Sequence, residues 1–408
     1  MKKAFLPLSI LMLSFTVLTS CSNDDNGSSS SKLEVPSTYT FERNGATTID
    51  FSGQTARLKM LDQLGAQFTT AATDGTVLDA IALGNMFSNT NNPFTDNELN
   101  ASGKNLKSKT ASSSDYFTLF LGGGSTTEKI DTQAFFEMQF ANGATASEGN
   151  TAASGVAGVY LDGSKKRLIA ANGLEPQQVV LKGLMGACMM DQISNHYLSL
   201  NVLDASTNVI DNTNKIVATD ANFTTMEHYW DEAYGYIYGA DDNSVSPAKL
   251  KFWSSYIEQV NADADFNTVS ANINLAFRKG RAAIVANDYN TRDAQIEVIQ
   301  ENLALVAAVR AVFYMQEGKA KLVEDGGAKA FHALSEGYGF IMALRYTREP
   351  GTENPYFSKQ EVDAMLASLT SGTNGLWDID TLSPKLDAIS LQIATKFGFT
   401  VEQASVAN

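Results

Sequence analysis

Met226-Glu-His-Tyr-Trp-Asp-Glu-Ala-Tyr-Gly-Tyr-Ile-Tyr-Gly239 decides how this chain is read. Residues three and four apart are neighbours on a helix, so His228 has Asp231 and Glu232 beside it on one face. Glu227 lies one step to the side. The chain has only 3 histidines, which makes their company informative. A related pattern returns further on. His228, Glu232, Tyr234, Gly235 and Ile237 match His332, Glu336, Tyr338, Gly339 and Ile341 at one constant offset, with Tyr236 facing Phe340. The reading is a duplicated helix, over 221–238 and 328–345, that carries a His–Glu pair in each copy.

Outward from these helices the pattern is mostly helical. Leu58, Leu61, Leu64 and Phe68 fall at helical spacing after Ser52, and 76–87 reads as a second helix. Residues 115–121 and 127–141 read as helices separated by Gly122-Gly123-Gly124. Residues 177–203 form a nearly unbroken apolar run, expected as one deeply buried helix that ends near His196. Pro247 suits the first turn of the helix carrying Leu250, Trp253, Ile257 and Val260. Ile296, Ile299, Leu303, Val306, Val309 and Phe313 trace one stripe, Ser358 and Glu361 spell a capping box, and a last helix covers about 383–397. Residues 88–114 and 143–158 are polar or small and read as loops. Near the start, 35–41 and 47–51 are expected as short extended segments turned by Asn44-Gly45. The fold class is therefore mainly α, a duplicated helical bundle with a small β element near the N-terminus, occupying 35–408.

The N-terminus carries a different message. Lys2 and Lys3 precede an apolar run, Phe5 to Leu18, too short to span a bilayer comfortably. It ends in Leu18-Thr19-Ser20-Cys21, which resembles a bacterial lipobox. That resemblance implies a signal peptide over 1–20, lipidation of Cys21 and a flexible tether over 21–34. Ser22-Asn23-Asp24-Asp25 resembles the surface-export signal of Bacteroidota lipoproteins. The expected location is the outer membrane, lipid-anchored, facing the cell surface or the periplasm.

Charge and composition narrow the function. With 45 acidic against 30 basic residues the net charge is -15, which disfavours nucleic acid and anionic lipid and suits cationic ligands. Cys188 lies in an apolar helical run and reads as a small buried hydrophobe. The sequence has no His-Glu-x-x-His, no Gly-x-Ser-x-Gly and no phosphate loop after its glycine runs, so no catalytic residue is assigned. The metal reading takes His228, Asp231, Glu232, His332 and Glu336 as ligands of a divalent ion, iron or zinc, with Glu227 and His196 as additional candidates. The competing reading is a non-enzymatic surface protein whose His–Glu pairs only hold helices together.

Two resemblances join these residues. Pro36-Ser37-Thr38-Tyr39, Ser52-Gly53-Gln54-Thr55-Ala56-Arg57 and Glu227-His228-Tyr229-Trp230-Asp231-Glu232-Ala233-Tyr234-Gly235-Tyr236 resemble the DUF4856 family over nearly the whole mature chain. That family carries no established activity. The duplicated His-acid helices are also similar to those of imelysin-like bundle proteins, which implies a metal site and a partner in iron uptake. Here Asp231 stands three residues after His228, Ser335 stands three after His332, and no glycine precedes either histidine at that motif's place.

Overall fold

Asn44 and Gly45 both take positive φ, and between them they close the hairpin of β1 (Glu42–Arg43) and β2 (Ala46–Thr47). This is the expected N-terminal β element, shorter than its apolar flanks suggest. The computed structural model describes residues 33–116, 126–324 and 327–406. The signal segment 1–20, most of the tether 21–34, Cys21, the helix expected over 115–121 beyond Tyr116, and Gly122-Gly123-Gly124 lie outside the described residues. Val35–Asn408 forms one compact unit.

From the hairpin the chain enters α1 (Ser52–Asp74), then α2 (Ala80–Ser88), α3 (Asn97–Ala101) and α4 (Thr126–Ala146). Leu58, Leu61, Leu64 and Phe68 are buried as their spacing requires. The segment expected as a long loop over 88–114 is tied down from within: Asp96 caps α3, and the Asn89 amide donates to the carbonyls of Leu99 and Lys104. α4 runs through Gly143, which the sequence reading placed in a loop. A methyl group there would lie 2.4 Å from Cε1 of Phe68, so the glycine serves helix contact. A second hairpin, β3 (Gly158–Asp162) and β4 (Lys165–Ile169), turns at Gly163 with φ 60°. The Asp162-Gly163 pair suits this tight turn.

The apolar run 177–203 is not one helix. α5 (Pro176–Leu184) passes into π-helical turns at Met185–Met190 and Ile193–Tyr197, and α6 (Leu200–Leu203) follows. The cause is competition for backbone carbonyls. The Trp253 indole donates to Met185 O, Ala111 N donates to Ala187 O, and the Gln300 amide donates to Ser194 O. Each external donor satisfies a carbonyl that a widened turn leaves free.

The second half contains α7 (Asn208–Thr213), α8 (Thr225–Tyr238), α9 (Trp253–Asn261), α10 (Val269–Ala286), α11 (Tyr289–Lys321), α12 (Ala328–Ala343), α13 (Lys359–Leu369), α14 (Leu382–Phe397) and α15 (Val401–Ser405). At 33 residues α11 is about 50 Å long and is the spine on which α10, α12 and α14 pack. Its expected apolar stripe is buried. The capping box of α13 is present in both directions. Pro247 does not open a helix. It sits in a turn closed by the pairing of Asp242 with Lys249, and Asp241 accepts from Lys251 N and from the Ser254 hydroxyl, which holds the start of α9 back to Trp253. The fold is mainly α with two small antiparallel sheets among the described residues. No helix there is long and apolar enough to cross a membrane.

Candidate functional site

α8 begins with a full capping box. Thr224 Oγ1 accepts from Glu227 N, and Glu227 Oε2 accepts from Thr224 N at 2.8 Å. The same carboxylate takes both Nη2 bonds of Arg43 and lies 3.2 Å from Nη1 of Arg281. Burial would raise this carboxyl, but Arg281, Arg43 and the backbone N–H hold it below the usual glutamate value. One turn on, Asp231 Oδ1 accepts from Arg281 Nε at 2.9 Å and from the Tyr39 hydroxyl at 2.6 Å. Burial pushes Asp231 up to about 6 despite the arginine. Arg281 also donates to Thr48 Oγ1 and has its guanidinium 4.9 Å from the centre of the Phe41 ring. Glu227 and Asp231 are thus committed to guanidinium groups and do not face His228.

His228 stacks on Phe223 with ring centres 4.4 Å apart, and its Nε2 lies 3.9 Å from Glu232 Oε2. Glu232 Oε1 accepts from the Gln54 amide at 2.8 Å and from the Tyr197 hydroxyl at 3.3 Å. His196 joins this neighbourhood through rings: its centre is 5.0 Å from Tyr197 and 6.1 Å from Tyr229. Burial, helped by the Lys109 ammonium, lowers its pKa to about 4, so it is neutral at ordinary pH. It lies inside a π-helical turn, not at a plain helix end.

The second copy has different company. His332 Nδ1 is 2.7 Å from Glu175 Oε2, and its Nε2 is 3.6 Å from Glu336 Oε2. Glu336 pairs with Lys182 at 3.2 Å and receives the Tyr256 hydroxyl at 3.5 Å. Burial works to raise Glu336, yet Lys182 and His332 bring it below the usual value. Ser335, the counterpart of Asp231, accepts from Glu175 N.

The two copies are alike in how they pack. A methyl group on Gly235 would lie 2.3 Å from Cβ of Phe51, at the start of α1, and one on Gly339 would lie 2.3 Å from Cβ of Lys182 on α5. Each glycine admits an earlier helix, and that same helix supplies a donor to the glutamate of the pair: Gln54 in one, Lys182 in the other. On the opposite face Trp230 fills the space over Gly280 of α10, and its counterpart Leu334 fills the space over Gly318 of α11. The two helices that the sequence pairs clasp their neighbours in the same way.

The five residues expected to share one ion are therefore split. His228 meets Glu232, His332 meets Glu336, and Asp231 belongs to Arg281 and Tyr39. Among the described residues no partner is common to the two histidines, and no group of three or more His, Cys, Asp or Glu is gathered so as to hold a metal ion. For Asp231 and Glu336 the reason is electrostatic, because Arg281 and Lys182 already neutralise them, whereas Glu232 takes neutral donors, Gln54 and Tyr197. Cys188 is fully buried, and burial pushes its thiol up to about 11, as expected of an inert cysteine.

Sequence reasoning missed Arg281, Glu175 and Gln54. Arg281 stood in Gly280-Arg281-Ala282-Ala283-Ile284, where one cation interrupts an apolar helix face, and that interruption was the available signal. Glu175 offered none, because its partner is distant in sequence.

The three stretches quoted above meet in space. Tyr39 bonds Asp231 and stacks on Tyr234 at 3.7 Å, Gln54 bonds Glu232, and Thr55 Oγ1 donates to Gly239 O. No curated protein and no solved structure matches the chain. Residues 36–400 match the model of the domain of unknown function DUF4856, so the chain is a member of the DUF4856 family.

Proposed function

We propose that this is an exported, lipid-anchored surface protein that works by holding a partner and not by catalysis, with its His–Glu pairs acting as pins between helices. One observation carries the reading. In each copy the glutamate takes its donor from the helix that the neighbouring glycine admits, so the pair is part of a helix crossing. Anchoring would run through Cys21, by cleavage before it and lipidation of its thiol.

The test compares substitutions that keep or lose the pin. His228→Gln and His332→Gln keep a polar side chain of similar reach, while His228→Ala and His332→Ala do not. The expected result is a metal-free mature protein, a clear drop in melting temperature for the alanine variants and a smaller drop for the glutamines. Stoichiometric iron or zinc in the purified wild type, lost equally from both kinds of variant, would overturn it.

A second reading, capture of divalent iron or zinc for uptake with a partner protein, is favoured by one feature. The His332 ring lies between two carboxylates, Glu175 and Glu336. On this reading Lys182 would have to leave Glu336 for the ion to enter, and metal analysis of the wild type decides the matter.

A further inference from the structure

An open groove of about 690 Å³ lies where the N-terminal segment, the start of α1, α3 and α8 meet. Its apolar lining includes three partly exposed rings or their edges: Tyr39, Phe51 and Tyr234. Tyr39 and Tyr234 are stacked, and Phe51 tilts toward Tyr234 with ring centres 5.7 Å apart. Around them stand Asp50, Asp96 and Glu98, against one cation, Lys59.

None of these three carboxylates is in an ion pair among the described residues. Asp50 accepts from Ser52 N and Asp96 from Glu98 N; against its partial burial, Ser52 first and then the nearby His228 and Lys104 hold Asp50 below its usual pKa. A second acidic groove, near 293–297 and 348–353, differs on both counts. Its lining has no aromatic ring, and three of its four carboxylates are spent: Asp293 on Arg292, Glu349 on Lys396, Glu353 on Arg348, with Glu297 left over. A third, beside β4, is lined by Lys165, Lys166 and Arg167.

We propose that the aromatic groove binds a basic segment of a partner protein, an extended peptide bearing arginine or lysine. This rests on the reading of the chain as a partner-holding protein and names the partner's chemistry. The apolar rings give the methylene stem of an arginine or lysine a surface to lie on, and unpaired carboxylates at the rim receive its charged head. The net charge of -15 draws such a segment in from a distance. The groove is open along its length, which suits a chain better than an enclosed small molecule.

The experiment measures fluorescence anisotropy of a labelled peptide of alternating Arg and Gly titrated with the mature protein, beside a Ser-Gly control peptide. The expected result is saturable binding of the basic peptide that weakens with salt. The triple variant Asp50→Asn, Asp96→Asn, Glu98→Gln should weaken it about tenfold or more. Asn keeps both helix-start hydrogen bonds, so the melting temperature should hold. Glu297→Gln removes an unpaired carboxylate from the other acidic groove, where no ring stands beside it, and should leave binding unchanged. No saturable binding, equal loss in both variants, or binding that the triple variant does not weaken would overturn the inference. Peptide failure with a metal-free protein sinks this inference alone, whereas bound metal sinks the reading beneath it.

Discussion

Arg281 and Asp231 are both fully buried and joined by a 2.9 Å bond from Nε to Oδ1, while the same guanidinium lies 3.2 Å from Glu227. One cation on α10 thus holds two acids a turn apart on α8, and Arg43 completes the neutralisation. A buried pair of this kind is weak evidence of net stability, but breaking it leaves uncompensated charge in a dry site.

Arg281→Met should therefore destabilise the protein by about 3–5 kcal/mol, measured by chemical denaturation. Arg281→Lys should recover little, because one ammonium cannot reach Glu227, Asp231 and Thr48 in the planar geometry that the guanidinium uses. A loss below about 1 kcal/mol for Arg281→Met would remove the central role given to this residue.

Glycines separate clasp from spacer. Gly235→Ala and Gly339→Ala each place a methyl group 2.3 Å from a Cβ on a facing helix and should cost about 1–3 kcal/mol or more. Gly84, within α2, has nothing within 4 Å of the same position. Gly84→Ala should stabilise by about 0.4–1 kcal/mol through helix propensity and a less free unfolded chain. Thermal melts of the three variants side by side test the packing account, which fails if their order is reversed.

The pH dependence follows from four acids and a histidine. Burial raises Asp191 and Asp231 to about 6, so the folded chain holds these protons more tightly than the unfolded one. Their contribution is full in acid, below the unfolded value, and fades as pH rises through about 6. His196, lowered to about 4, acts the other way and costs stability as pH falls below its unfolded value near ~6.5. Glu227 and Glu336 are held low, and their contribution is lost only as pH falls through their depressed values. Melting temperature should thus be higher near pH 5 than near pH 7.5 and should collapse in stronger acid. His196→Gln should steepen the gain on going from pH 7.5 to 5. A wild-type optimum above pH 7 would contradict the assignment.

How much of this could be read beforehand depends on distance along the chain. The pairs His228–Glu232 and His332–Glu336 are four apart, and helical spacing alone predicted them. Helical spacing also marked the stripe on α11, and the Asn44-Gly45 pair marked the first turn. What spacing could not supply were partners from remote segments: Arg281 for Asp231, Glu175 for His332, Gln54 for Glu232. Among the described residues no shared polar centre joins the two histidines, for the same reason. A carboxylate's neighbour on its own helix is visible in sequence, but the buried cation that claims it is not. Apolar runs misled in another way. Residues 177–203 look like one helix, and donors from Trp253, Ala111 and Gln300 break its regular ladder.

Tyr39 provides the sharpest remaining test, because it ties the N-terminal segment to α8 by two separable contacts. Its hydroxyl donates to Asp231 at 2.6 Å, and its ring stacks on Tyr234. Tyr39→Phe keeps the stack and removes a donor from a buried carboxylate, at an expected cost of about 1–3 kcal/mol. Tyr39→Leu loses the stack as well, a further ~0.5–1.5 kcal/mol, and should loosen the chain before α1. Limited proteolysis reads that loosening directly: cleavage between Val35 and Ser52 should be slow in wild type, faster in Tyr39→Phe and fastest in Tyr39→Leu. Equal cleavage rates in all three would mean that the segment is held by its other ties, those of Arg43, Asn222, Arg278 and Arg281.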